Sequence, residues 1–166
     1  KDTTDRNRTS PVAFTGNKFE FRMLGSSQSV AGPNIALNTI MAEELGKFAD
    51  ILEKAEDFDS ALQKLVCDTF TAHQRIIFNG NGYSSKWPIE AERRGLLNLR
   101  TSVDAFSRLT EQKNIDLFTS FGVMSEKELR AREEIMFENY SNVIDIEART
   151  MVDITNKKII PAIESY

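Results

Sequence analysis

Ser125-Glu126-Lys127-Glu128 has the form of a helix capping box. A serine hydroxyl is placed to accept from the amide three residues on, and a glutamate is placed to reach back to the serine amide. Beyond it Leu129, Met136, Tyr140, Val143, Ile144, Met151 and Val152 recur as one apolar stripe. This spacing predicts the longest helix of the chain, ended or kinked at Pro161 because proline lacks the amide donor. A helix with one apolar face needs other elements to cover that face.

Upstream segments repeat the pattern on a smaller scale. Pro33 opens a helix where a missing amide proton costs nothing, and Leu37, Ile40, Met41, Phe48, Ile51, Leu52 and Ala55 carry its face to about Glu56. Gly46 inside it costs about 1 kcal/mol against alanine and suggests close packing. Asp59 is the expected cap of a second helix with the stripe Leu62, Leu65, Val66, Thr69, Phe70, His73 and Ile77. Asn79-Gly80-Asn81-Gly82 stops it. This run lacks the lysine-serine of a phosphate loop and follows a helix rather than a strand, so it reads as a turn. Pro88 starts a short helix, with Trp87 as a packing anchor, Arg93 and Arg94 in the last turn and Gly95 as the stop. Thr101 to Asp104 resembles a capping box with an acid too short for the role, opening a brief helix through Leu109. Another helix covers Ile115 to Phe121 and closes at Gly122.

The first thirty residues differ. In Lys18-Phe19-Glu20-Phe21-Arg22-Met23 the side chains alternate, with Phe19, Phe21 and Met23 on one face and Lys18, Glu20 and Arg22 on the other. That is a period-2 strand with an apolar underside. Val12 to Phe14 pairs with it as a hairpin across Thr15-Gly16-Asn17. The expected architecture is therefore mainly α: an N-terminal β-hairpin, then a helical bundle ending in one long helix. The division falls at residue 31, with 1–31 as the sheet region and 32–166 as the helical region.

A hairpin of this kind gathers Arg6, Arg8, Lys18, Glu20 and Arg22, which suits phosphate together with a divalent ion. Planar guanidinium forks grip phosphate oxygens, and a carboxylate binds a hard cation. The plainer reading of Glu20 is a surface ion pair worth little, and of Arg22 a partner of Glu20 about 6 to 7 Å along the same face. Arg8 read plainly caps a helix end or a carbonyl. His73 lies on an apolar helix face and reads as packed core. Glu147, Arg149 and Asp153 read as an intrahelical charge ladder.

Composition narrows the classes. A net charge of -4 argues against a nucleic-acid surface, and no apolar run approaches the about 18 to 20 residues of a membrane span, so a soluble chain is expected. The single cysteine, Cys67, rules out an internal disulfide and fits a reducing, cytoplasmic compartment. One histidine and one cysteine exclude a zinc finger from this chain alone, and support neither a Ser-His-Asp nor a Cys-His site. Starting at Lys1 without a leader, the chain reads as a segment of something longer.

Asn7-Arg8, a turn, and then Lys18-Phe19-Glu20-Phe21-Arg22 resembles the C-terminal active-site block of glutamine synthetases. The longer run from Asp5 through Asn34 is most similar to their long, type III branch, and Ile146-Glu147-Ala148-Arg149-Thr150 with Pro161 is similar to its last helix. The resemblance implies an ATP-dependent glutamate–ammonia ligase that works through γ-glutamyl phosphate and assembles as homo-oligomeric stacked rings. It implies that Glu20 binds Mg²⁺ or Mn²⁺, that Arg22 is catalytic and holds glutamate and the forming phosphate, and that Arg8 is catalytic and holds the terminal phosphate of ATP. Lys18 takes the place of a basic residue near the nucleotide. The other metal ligands must then lie before Lys1, and this segment by itself should be inactive. In shorter-chain relatives a second arginine stands where this chain has Ala13, a role left to Arg6 or to a residue elsewhere. A different class of reading makes the helical part an assembly module, with an interface at Leu129, Met136 and Tyr140 and the charged hairpin incidental.

Overall fold

The chain is mainly α, as expected. The computed structural model describes residues 12–14, 18–23, 25, 28–78 and 81–166, which fall into two compact units, one ending at Asn98 and the other running from Leu99 to Tyr166.

The first unit begins with the hairpin β1 (Val12–Phe14) and β2 (Phe19–Phe21). Helix α1 (Ala31–Leu52) starts two residues before Pro33, which sits in the first turn where no intrahelical donor is needed. Within α1, Thr39 is buried and its hydroxyl donates to the Ile35 carbonyl at 2.8 Å. Among the described residues a β-carbon added at Gly46 would meet nothing within 4 Å, so no close packing there requires that glycine.

Helix α2 (Phe58–Ala72) is capped by Asp57 rather than Asp59. Asp57 has the extended backbone a cap needs, and its carboxylate accepts from the Ser60 amide at 3.3 Å and the Ser60 hydroxyl at 2.5 Å. α2 packs against α1. His73, expected in the core, is instead an exposed residue at the C-cap of α2.

Helix α3 (Lys86–Arg93) is tied to the segment after α2 by Arg94. Its guanidinium donates to the Ile77 carbonyl at 2.8 Å and to Glu90 at 2.6 Å, and lies 5.9 Å from the Phe78 ring and 5.8 Å from the Trp87 ring. Those rings stack at 3.9 Å, so Trp87 anchors packing as expected. Gly95, with φ of 73°, closes α3: its amide bonds back to Glu92 and the Leu96 amide to Ala91, which needs the left-handed backbone.

Hydrogen bonds from Arg93 and then Arg94 hold the Glu90 carboxyl down at about 2, against an ordinary 4.5. A carboxylate depressed by folding adds stability that is present above pH 4.5 and is lost as pH falls through about 2. Amide protection factors across α3, which correct for the pH dependence of intrinsic exchange, should therefore fall as pH drops from 4.5 to about 2, and Glu90→Gln should remove that part of the pH dependence.

The second unit contains α4 (Ser102–Phe106), α5 (Gln112–Ser120), α6 (Glu126–Ile154) and α7 (Ile160–Ser165). Both halves of the capping box at Ser125 form: its hydroxyl accepts from the Glu128 amide at 3.3 Å, and Glu128 accepts from the Ser125 amide at 2.8 Å. At Thr101 only the forward half forms, and Asp104 bonds the threonine hydroxyl instead of its amide. Leu129 is 0 % exposed, and Ile115, Leu117 and Phe118 of α5 are buried. Phe106 of α4 meets Phe137 and Tyr140 of α6 edge-on at 5.4 and 6.2 Å. The Thr110 hydroxyl donates to Glu133 at 2.8 Å. α4 and α5 thus cover the first half of α6.

Pro161 does not end the helix. The five residues Thr155–Ile159 form a π turn, whose wider coil makes room for the proline ring against the preceding turn, and α7 continues from it. Among the described residues no helix is long and apolar enough to cross a membrane.

Candidate functional site

Strand β2 presents Glu20 and Arg22 on one face because side chains two apart in a strand share a side. The two are in contact. The Arg22 Nε and Nη2 groups both donate to Glu20 Oε2, at 3.3 and 3.2 Å. Their side chains are half-buried, 41 % exposed for Glu20 and 22 % for Arg22, so the pair is neither sealed in a core nor fully in water. β1 pairs antiparallel with β2 and sets Ala13 opposite Glu20, with Val12 opposite Phe21 and Phe14 opposite Phe19. Position 13, where shorter-chain relatives are expected to carry an arginine, is therefore the ladder neighbour of the carboxylate.

The apolar face behaves differently from the expectation. Phe19 is 73 % exposed, and Phe21 and Met23 are exposed as well. Alternation says which residues share a face; it does not say what covers it. Within the described residues the charged face is the better covered of the two.

Lys18 is exposed beside the start of β2. Arg6, Asn7, Arg8 and the Thr15-Gly16-Asn17 turn lie outside the described residues, as do Asn79 and Gly80. The structure thus brings Glu20 and Arg22 together and leaves the placement of Arg8 open.

The donor chemistry suits part of a metal site. A carboxylate is the hard oxygen ligand that Mg²⁺ and Mn²⁺ prefer, and among the described residues no hydrogen bond falls on Glu20 Oε1. These ions take about six oxygens, and no three potential ligands gather anywhere among the described residues. Glu20 fits as one ligand of a shared site.

The Glu90–Arg93–Arg94 cluster was not anticipated as a structural hub. Its signal was present as a glutamate three and four residues before two arginines. The contact of Arg94 with Phe78 across the intervening turn is tertiary and carries no local pattern.

Residues 61–166 match the family model of the glutamine synthetase C-terminal domain. Over 98% of its length the chain is 47% identical to the type-3 glutamine synthetase of Dictyostelium discoideum. It is 38% identical over 99% of its length to a glutamine synthetase of Bacteroides fragilis (strain YCH46), and 39% identical over 100% to one of Butyrivibrio fibrisolvens. The aligned region is 22%, 23% and 24% of those three proteins, so the chain spans under a quarter of the length of each. The hairpin lies outside the family model and within the region aligned to the relatives.

Proposed function

We propose, from the premise that this chain belongs to the glutamine synthetase family, that it is the C-terminal part of a type III glutamate–ammonia ligase. The observation that carries the reading is the Glu20–Arg22 pair, in contact on one half-buried face of β2. Residues 1–31 complete the catalytic sheet region, and 32–166 form the C-terminal helical region.

In the reaction, ATP phosphorylates the side-chain carboxylate of glutamate to give γ-glutamyl phosphate and ADP. Ammonia then attacks the activated carbonyl and expels phosphate, leaving glutamine. A bound Mg²⁺ or Mn²⁺ supplies positive charge against the crowded phosphate oxygens. Glu20 is one of its ligands. The bonds from Arg22 Nε and Nη2 to Glu20 fix the plane of the guanidinium, so that its charge meets the substrate and the transferring phosphoryl group already oriented. Arg8 holds the terminal phosphate of ATP, and Lys18 adds positive charge on the nucleotide side. A compact ammonium at Lys18 supplies charge without the planar fork of an arginine. The protein works in the cytoplasm as homo-oligomeric stacked rings, with active sites between neighbouring subunits.

The 166-residue chain alone is expected to be inactive, since a single carboxylate does not hold the metal and a two-stranded hairpin is marginal by itself. Glutamate-dependent release of phosphate from ATP checks this: no turnover above background is expected, and turnover would overturn the reading.

The assembly reading is favoured by a separate observation. Past residue 142 the apolar side chains of α6 are exposed. Of the three residues expected at that interface, Leu129 is buried in its own unit and is not available to a partner, while Met136 and Tyr140 are exposed.

A further inference from the structure

Helix α3 is attached to its unit by side chains rather than by a packed helix face. No described helix or strand brings its backbone against α3, whereas α2 lies against α1. Ties across the intervening turn come from Arg94 and Trp87. The Arg94 Nη1 group donates to the carbonyls of Ile77 at 2.8 Å and Arg75 at 3.4 Å, and the Trp87 ring stacks on Phe78. The same guanidinium lies near both rings, so one side chain serves the polar tie and the aromatic one together.

Glu90 sets the direction of that guanidinium. Its Oε2 accepts from Arg93 Nε at 2.8 Å, and its Oε1 accepts from Arg93 Nη2 at 2.8 Å and from Arg94 Nε at 2.6 Å. Arg93 thus fixes the plane of the carboxylate with a two-pronged grip, and the carboxylate holds the Nε edge of Arg94. The Nη1 group is then left to the Ile77 carbonyl. Glu90 and Arg94 are 30 % and 24 % exposed, so ions in solution reach the pair.

The turn before α3 is bonded to the helix. The Tyr83 amide donates to Asn81 Oδ1 at 2.9 Å, the Lys86 amide to the Ser84 hydroxyl at 3.3 Å and the Trp87 amide to the Ser84 carbonyl at 3.0 Å. We propose that α3 and the Asn81–Ser85 turn form a unit that opens by itself, latched shut by Arg94, with Glu90 as the positioning residue of the latch. On opening, Arg94 leaves the Ile77 carbonyl and the Phe78–Trp87 stack parts, while α1 and α2 stay folded. A segment joined by few contacts, one of them ionic and within reach of solvent, is where local opening is expected. The inference makes no use of the catalytic role given to β2, so each can fail without the other.

Hydrogen exchange followed by mass spectrometry on the intact protein tests it, read as protection factors. Arg94→Lys keeps the charge but cannot grip Glu90 and Ile77 with two edges, so protection across α3 should fall about 10-fold or more. Glu90→Gln should give a smaller fall, about 3-fold. Adding it to Arg94→Lys should change nothing further, because Glu90 acts through Arg94. Protection in α1 and α2 should stay at the wild-type level throughout. An equal loss across α2 would show that Arg94 supports the whole unit, and unchanged protection in α3 would show that something else holds it; either overturns the latch. A double variant in which the two effects multiply would overturn the role of Glu90. A second measurement needs no variant: raising the salt to about 1 M should lower protection in α3 of the wild type and leave α2 as it was. Protection in α3 that does not respond to salt would contradict an ionic latch.

Discussion

Glu20→Gln in the whole protein is expected to lower glutamate-dependent phosphate release by at least about 100-fold while the assembled mass stays unchanged. The substitution keeps the shape of the side chain and removes its charge. Losing a group that only orients a metal ligand already costs about 10- to 100-fold, and loss of a ligand itself costs more. Folding should survive, since the Glu20–Arg22 pair is half exposed and such pairs contribute only about 0 to 1 kcal/mol. Activity that persists with assembly intact would sink the catalytic reading and leave the hairpin charges incidental. Arg22→Lys is a sharper companion. It keeps the charge and loses the two-pronged bond to Glu20, so a large loss there shows that orientation matters as well as charge.

Leu129→Ala should cost about 2 to 5 kcal/mol in the unfolding free energy of the second unit. Among the described residues Leu129 is the largest side chain that is fully buried, in the half of α6 covered by α4 and α5. Ile115, Leu117 and Phe118 of α5 are buried in the same unit, so truncation leaves a cavity inside its small core. Met151→Ala is the contrast: in the 166-residue chain its side chain is mostly in water, and the change should stay within about 0.5 kcal/mol. Chemical denaturation of the two variants checks both numbers, and equal losses would mean that α6 is covered along its whole length.

Features governed by local chemistry were legible in the sequence. Ser125 and Glu128 formed the expected box, and Gly95 and Gly122 took positive φ where helices were expected to stop. The alternation around Glu20 placed it and Arg22 on one face. Features that depend on covering were not legible. The pattern put His73 in a core and Phe19, Phe21 and Met23 beneath the hairpin, yet all four are exposed in the described chain. Period fixes which residues look the same way, while burial depends on a neighbour whose identity lies in other elements. Asp57 displaced Asp59 as a cap because the choice depends on which acid takes the extended backbone, and both were chemically suitable. The passage of the helix through Pro161 depends on a π turn with no simple sequence signature.

Divalent-metal binding to the whole protein tests the central claim most directly, by titrating Mn²⁺ and following the spin signal of the free ion. The account predicts that Glu20→Gln weakens binding at one site per subunit by more than about 100-fold, while Arg22→Lys, which keeps the carboxylate and loses only the two bonds that orient it, weakens that site less. Identical Mn²⁺ titrations for the wild type and Glu20→Gln would contradict it.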